Sequence, residues 1–216
     1  MTKMPERLAD LLGRSPRQTM PARSVSILIG APWVQYLVLP WQEGLYTAAE
    51  WEAFARLEFE RRSGIPSGPL RIRVALGAYG EGPLASCVPQ SLIDTLQSVG
   101  KATGFSIGSI QPMLMHAYNS SSLHFSSRRA PLLLLEDGFA TFLASAGRRW
   151  TNAVTLATAP RFDIDHVVTQ AVMLSDSPSP RVVHVCEARP ANAHQSAGST
   201  YNYHRHGGAH ALLWPR

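Results

Sequence analysis

Cysteine is almost missing from this 216-residue chain, with only Cys87 and Cys186, each inside an apolar, strand-like run. Thiols so placed behave as small buried hydrophobes, which excludes a disulfide framework and fits a reducing compartment, the cytoplasm. Long apolar stretches are missing too. The pure run Leu132–Leu135 falls far short of the roughly 18–20 residues that a membrane helix needs, and it reads as a buried strand. The first residues mix Asp, Glu, Arg and Pro and lack the apolar core of a secretory signal. Catalytic signatures are equally scarce. The hydroxyls of Ser120–Ser127 have no Gly-x-Ser-x-Gly elbow around them. Asp163 and Asp165 stand at a helix start, where capping and the helix dipole account for both. His184 and Cys186 share one face of a strand, but Val-Val-His-Val-Cys is the sequence of a sheet interior.

Acid is also in short supply: 15 Asp and Glu face 20 Lys and Arg, for a net +5 and a pI near 9.6. The excess is confined to the ends. Residues 1–23 hold Lys3, Arg7, Arg14, Arg17 and Arg23 against Glu6 and Asp10, and residues 189–216 hold Arg189, Arg205 and Arg216 with no acid. The body between them is close to neutral. A nucleic-acid-binding domain carries its basic face on the folded body, so the charge pattern speaks against nucleic acid as a partner.

What is present is organised around Ser24–Arg62. Val25–Ile29 alternates as a strand, Gly30-Ala31-Pro32 is a turn, and Trp33–Leu39 is a second β-like run that Pro40 stops. These runs predict a hairpin. Thr47 and Glu50 form a Thr-x-x-Glu capping box, and Trp51, Phe54, Ala55 and Phe59 make one apolar stripe on the helix that follows. That stripe is expected to cover a sheet containing Ile27, Ile29, Val74 and Leu76. Leu70–Leu76 alternates as a strand with one wet face, Leu84–Val88 is another strand, and Leu92, Ile93, Leu96 and Val99 mark a second helix ended by Gly104. A strand over Phe105–Ile110 and a helix from Met113 close this part.

From Pro131 the pattern changes. Leu132–Leu135, Phe139–Ser145 and Trp150–Leu156, separated by Asp137-Gly138 and Gly147-Arg148-Arg149, predict a three-stranded meander. A helix capped by Asp163 and a strand over Arg181–Cys186 follow. Beyond Pro190 the composition of Asn, His, Gly, Ser and Tyr has no core periodicity and predicts a disordered tail. Its His204, His206 and His210 have no Cys or acid beside them, so no metal site is expected there.

The order of elements resembles the cytoplasmic actin-like proteins of type IV pilus and type II secretion assembly, the PilM and GspL types. The likeness covers about residues 24–187 and rests on VSILIGAPWVQYLVLPW, EWEAFARLEF, GFSIGSIQP and LLLEDGFATFLASAGRRW. It implies an α/β fold of ribonuclease-H-like, actin-like ATPase type, with mixed sheets flanked by helices. The divisions would be a flexible arm over 1–23, a first half over 24–122, a reduced second half over 130–188 and the tail over 189–216. Two departures bear on function. Residues 1–23 hold no Asp-x-Gly hairpin for phosphate and metal, and Gly207-Gly208 lacks a following helix to serve as an adenosine motif. Asp137, Gly138 and Thr141 alone match the second phosphate hairpin, and an isolated Asp-Gly is far more often an ordinary β-turn. The resemblance therefore implies a non-catalytic scaffold with no cofactor and no metal, sited in the cytoplasm at the periphery of the inner membrane. Its partners would be proteins of an inner-membrane assembly, without insertion into the bilayer. Trp41, beside Pro40, is the candidate partner contact, because aromatic anchors dominate interface energies. The alternative is an active actin-like ATP-binding protein with unrecognised phosphate loops.

Overall fold

Thr47 sets the start of the first long helix. In the computed structural model its hydroxyl accepts from the Glu50 N–H at 3.2 Å, and the Glu50 carboxylate accepts from the Thr47 N–H at 2.8 Å. This is the expected capping box, and two of the helix's orphan backbone donors are satisfied by it. The helix, α1, spans Ala48–Ser63 and ends at Gly64. The structure describes residues 9–10, 24–121, 130–147, 149–188, 193–194 and 199–206.

The first half contains β1 (Ser24–Ile29), β2 (Gln35–Val38), α1, β3 (Leu70–Ala75), β4 (Leu84–Pro89), α2 (Gln90–Thr103), β5 (Ser106–Pro112) and α3 (Met113–Ser121). The expected β1–β2 hairpin does not form. Ala31–Trp33, with Pro32 inside, is a 3-10 turn that carries the chain onward instead of reversing it. β1 pairs in parallel with β5, while β2 pairs with β4 in the antiparallel sheet β2-β4-β3.

α1 covers that three-stranded sheet. Trp51, Ala55 and Phe59 are buried with Leu39, Ile72, Ala85 and Cys87, and Phe54 and Val74 are half-buried at the margin. The expected helix face is therefore correct and part of the expected sheet is not. Ile29 lies under α2 with Leu92 and Leu96, with Ile27 packed against the same cluster. Leu76 lies past the end of β3 and is exposed.

The second half holds β6 (Leu132–Glu136), β7 (Phe139–Ala146) and β8 (Arg149–Ala157), the expected meander. The short β9 (Phe162–Asp163) leads into α4 (Ile164–Ser175), whose N-cap Asp163 accepts from the Asp165 N–H at 3.0 Å. β10 (Val182–Glu187), β11 (Ala193–His194) and β12 (Asn202–His206) complete it. The sheet runs β12-β10-β6-β7-β8, with β10 parallel to both β6 and β12. Leu133 and Leu135 pack against α4, and Leu132 and Leu134 pack towards α3. Burial on both faces is why β6 reads as four consecutive leucines rather than an alternating strand.

The last strand corrects the disordered-tail expectation for the described residues 199–206. Asn202–His206 extends the sheet beside β10, and Tyr201 is only 6% exposed, inside the core formed with α4. Two polar groups on α4 hold the segment. Asp165 accepts from Ser199 Oγ at 2.7 Å and from the Tyr203 hydroxyl at 2.6 Å, and Thr169 shares a hydrogen bond with the Tyr201 hydroxyl at 3.1 Å. Polar residues thus anchor this strand, in place of a hydrophobic period. The two halves share one core: Val38, Leu84, Met113, Leu114 and Ala117 pack with Leu132, Leu134, Leu143 and Cys186. Among the described residues no helix is long and apolar enough to cross a membrane.

Candidate functional site

Asp137 and Gly138 form the β6–β7 turn, with Asp137 exposed and Gly138 at φ +76°, the left-handed conformation that such a turn needs. Thr141 does not join them. It sits two residues into β7, fully buried, with its hydroxyl 3.2 Å from that of Thr155 on β8. A strand advances about 3.3 Å per residue, so the three candidate phosphate residues do not converge on one point. The turn is built as an ordinary hairpin connection, and the Gly138 carbonyl accepts from the Thr158 N–H at 2.9 Å.

Glu136, one residue earlier, has a role that the sequence did not reveal. Its two carboxylate oxygens accept from the Ala31 N–H at 3.2 and 3.1 Å, bridging the end of β6 to the turn after β1. Burial pushes its pKa up, and the Ala31 hydrogen bond opposes that rise. Glycine at position 30 leaves room for this contact, because a Cβ there would push Glu136 Oε1 aside. The ends of the two halves' opening strands are therefore in direct contact through a carboxylate. A phosphate brought to this junction would meet the like charge of Glu136, and the Ala31 amide there is already used. The Gly-Gly pair at 207–208 and His210 lie outside the described residues.

Trp41 stands in a more suggestive setting. Its ring packs 5.6 Å from Trp51 and 5.0 Å, edge-on, from Tyr79, and is half-buried. With Glu43, Leu45, Tyr46, Leu76 and Glu81 these rings line an open groove of about 230 Å³ between the β2–α1 loop and the β3–β4 loop. Tyr46 and Tyr79 are 79% and 82% exposed, and Leu76 is 53% exposed. Trp41 was legible in the sequence. Its neighbours were not, since they come from loops without periodicity and meet only once β2, β3 and α1 have packed.

His184 lies on β10 opposite His204, and Cys186 opposite His206. His184 Nδ1 is 2.7 Å from His206 Nε2, so one ring donates to the other and the pair holds at most one extra proton. Burial first, then the neighbouring His206 and His204, lower the pKa of His184 to about 4. Among the described residues no group of three or more His, Cys, Asp or Glu is arranged to hold a metal. Both cysteines are buried, and burial pushes the Cys87 thiol up to about 11, away from nucleophilic use.

No family model matches the chain, and no curated protein does. Solved structures do match. The cytoplasmic domain of EpsL, an inner-membrane component of the type II secretion system of Vibrio cholerae, superposes with a TM-score of 0.61 at 12% identity, covering 97% of this chain and 78% of that one. The PilM–PilN type IV pilus biogenesis complex gives a TM-score of 0.60 at 10% identity, covering 93% and 76%. A Bacteroides thetaiotaomicron protein of actin-like ATPase fold and unknown function gives 0.52 at 9%, covering 86% and 67%. The chain has the actin-like fold that these secretion and pilus assembly proteins share.

Proposed function

We propose that this actin-like chain is a non-catalytic scaffold of a pilus- or secretion-type assembly, working on the cytoplasmic side of the inner membrane by binding proteins rather than by turning over nucleotide. The observation that carries this reading is the Glu136–Ala31 contact, which uses the junction of the two halves for structure. An actin-like clamp needs convergent amides, a cation and a carboxylate to hold it around the phosphates. Here the one hairpin turn of matching sequence, Asp137-Gly138, stands apart from the buried Thr141. The exposed aromatic groove at Trp41 supports protein binding, since large aromatic side chains left in solvent mark interaction surfaces.

The test is co-purification of the full chain with the cytoplasmic segments of inner-membrane proteins encoded beside it. The expected result is a stable complex by size-exclusion chromatography with no added nucleotide. A complex that forms only with Mg·ATP, or none with any neighbour, overturns the reading.

A further inference from the structure

We infer that the Trp41 groove receives a basic side chain flanked by an aliphatic one, presented on an exposed segment of a protein partner. This rests on the partner-binding reading above and names the chemistry of its contact. The acid that faces solvent is Glu43 on the exposed rim; Glu81 lies beneath at 8% exposure, held by contacts of its own, and among the described residues the lining contains no Lys or Arg. The Glu81 carboxylate is oriented by the Ala78 N–H at 3.3 Å. Trp41 and Tyr79 meet edge to face, and Tyr46 leaves most of its surface in water.

Acid and aromatic surface in one concavity is the environment that attracts a cation twice, by charge and by the ring quadrupole. Leu45 and Leu76 supply an apolar wall for the methylene stem or for a neighbouring aliphatic residue. A volume of about 230 Å³ suits one or two side chains rather than a cofactor, whose pockets run from roughly 300 Å³ upward. The Glu43 carboxylate also argues against nucleic acid and an anionic lipid surface as occupants.

The experiment titrates full-length, isotope-labelled protein with Ac-Leu-Arg-Leu-NH2, with the same peptide carrying citrulline for arginine, and with a synthetic peptide of residues 1–23. The indole N–H signals of Trp41 and Trp51 report binding. The expected result is saturable shifts at these two indoles, with the citrulline peptide about ten-fold weaker, since the lost charge and ring contact together amount to about 1.4 kcal/mol. Tyr79→Ala and Glu43→Gln, both at exposed positions, are expected to weaken binding several-fold with no change in melting temperature. Equal binding of the citrulline peptide, or shifts confined to other residues, overturns the proposal. Tighter binding of the residue 1–23 peptide, lost in the same variants, assigns the groove to this chain's own basic arm and also overturns it. A partner complex that survives both substitutions refutes the groove assignment alone and leaves the scaffold reading intact.

Discussion

Replacing Tyr201 by Ala tests whether the last strand belongs to the fold. The ring is 6% exposed among Leu133, Ile164, Val168 and Val183, and its hydroxyl meets Thr169 at 3.1 Å. Removing a buried aromatic side chain costs about 3–5 kcal/mol through lost transfer energy and the cavity left behind. Tyr201→Phe keeps the ring and gives up one hydroxyl contact, so it is expected to cost only about 1 kcal/mol. In urea, with a slope near 2 kcal/mol per molar, the Ala variant's midpoint falls by about 1.5–2.5 M and the Phe variant's by about 0.5 M. Circular dichroism and tryptophan fluorescence should trace the same transition. A Tyr201→Ala variant with the wild-type midpoint would refute the docking of β12 and restore the disordered tail that composition alone suggested.

Three further outcomes follow from specific contacts. Gly30→Ala is expected to cost about 1–3 kcal/mol by overpacking against Glu136, and much less in a Glu136→Ala background, so a double-mutant cycle should return a clear coupling energy. Additive effects would mean that the two halves do not meet there. His184 has a folded-state pKa of about 4 against about 6.5 unfolded, so the unfolded chain takes the proton first. Its contribution to stability is intact above pH 6.5 and drains away between pH 6.5 and 4. The loss is about 1–3 kcal/mol, discounted because its partner His206 is only half-buried. His184→Phe should flatten that part of the stability–pH curve, and an unchanged curve would contradict the burial of a neutral imidazole pair. Glu136→Gln keeps an acceptor for the Ala31 N–H while removing a partly desolvated charge. Its stability at neutral pH should equal or exceed that of the parent, and a large loss would show that the charge itself is needed.

Much of this architecture was legible from local chemistry. The Thr47–Glu50 box, the Asp163 cap and the Asp137-Gly138 turn each act through neighbours in sequence, the unbroken leucine run of β6 marks a strand buried on both faces, and each appears where the sequence put it. Pairing between distant strands was harder to read. β1 and β2 look like a hairpin because they are adjacent and β-like, yet their partners, β5 and β4, lie tens of residues away. The strand at 202–206 has no hydrophobic period in its Asn-Tyr-His-Arg-His sequence, and what fixes it is a carboxylate on α4. Of the candidate site residues, Asp137 and Trp41 sit at exposed or half-exposed loops as expected, whereas Thr141 is a buried cross-strand residue. Glu136 and Glu81 could not be singled out, since an isolated Glu gains meaning only from the backbone folded against it.

The most direct test of the central claim is the melting temperature of the full chain with and without millimolar Mg·ATP, alongside phosphate release. A ligand at 100 times its dissociation constant stabilises a fold by about 2.7 kcal/mol, which a melting curve resolves easily. No shift and no phosphate above a buffer blank is the expected result, because Glu136 occupies the contact between the halves and Asp137-Gly138 acts alone. A clear upward shift that disappears in Asp137→Ala would contradict it and establish this chain as an active nucleotide-binding member of the actin-like fold.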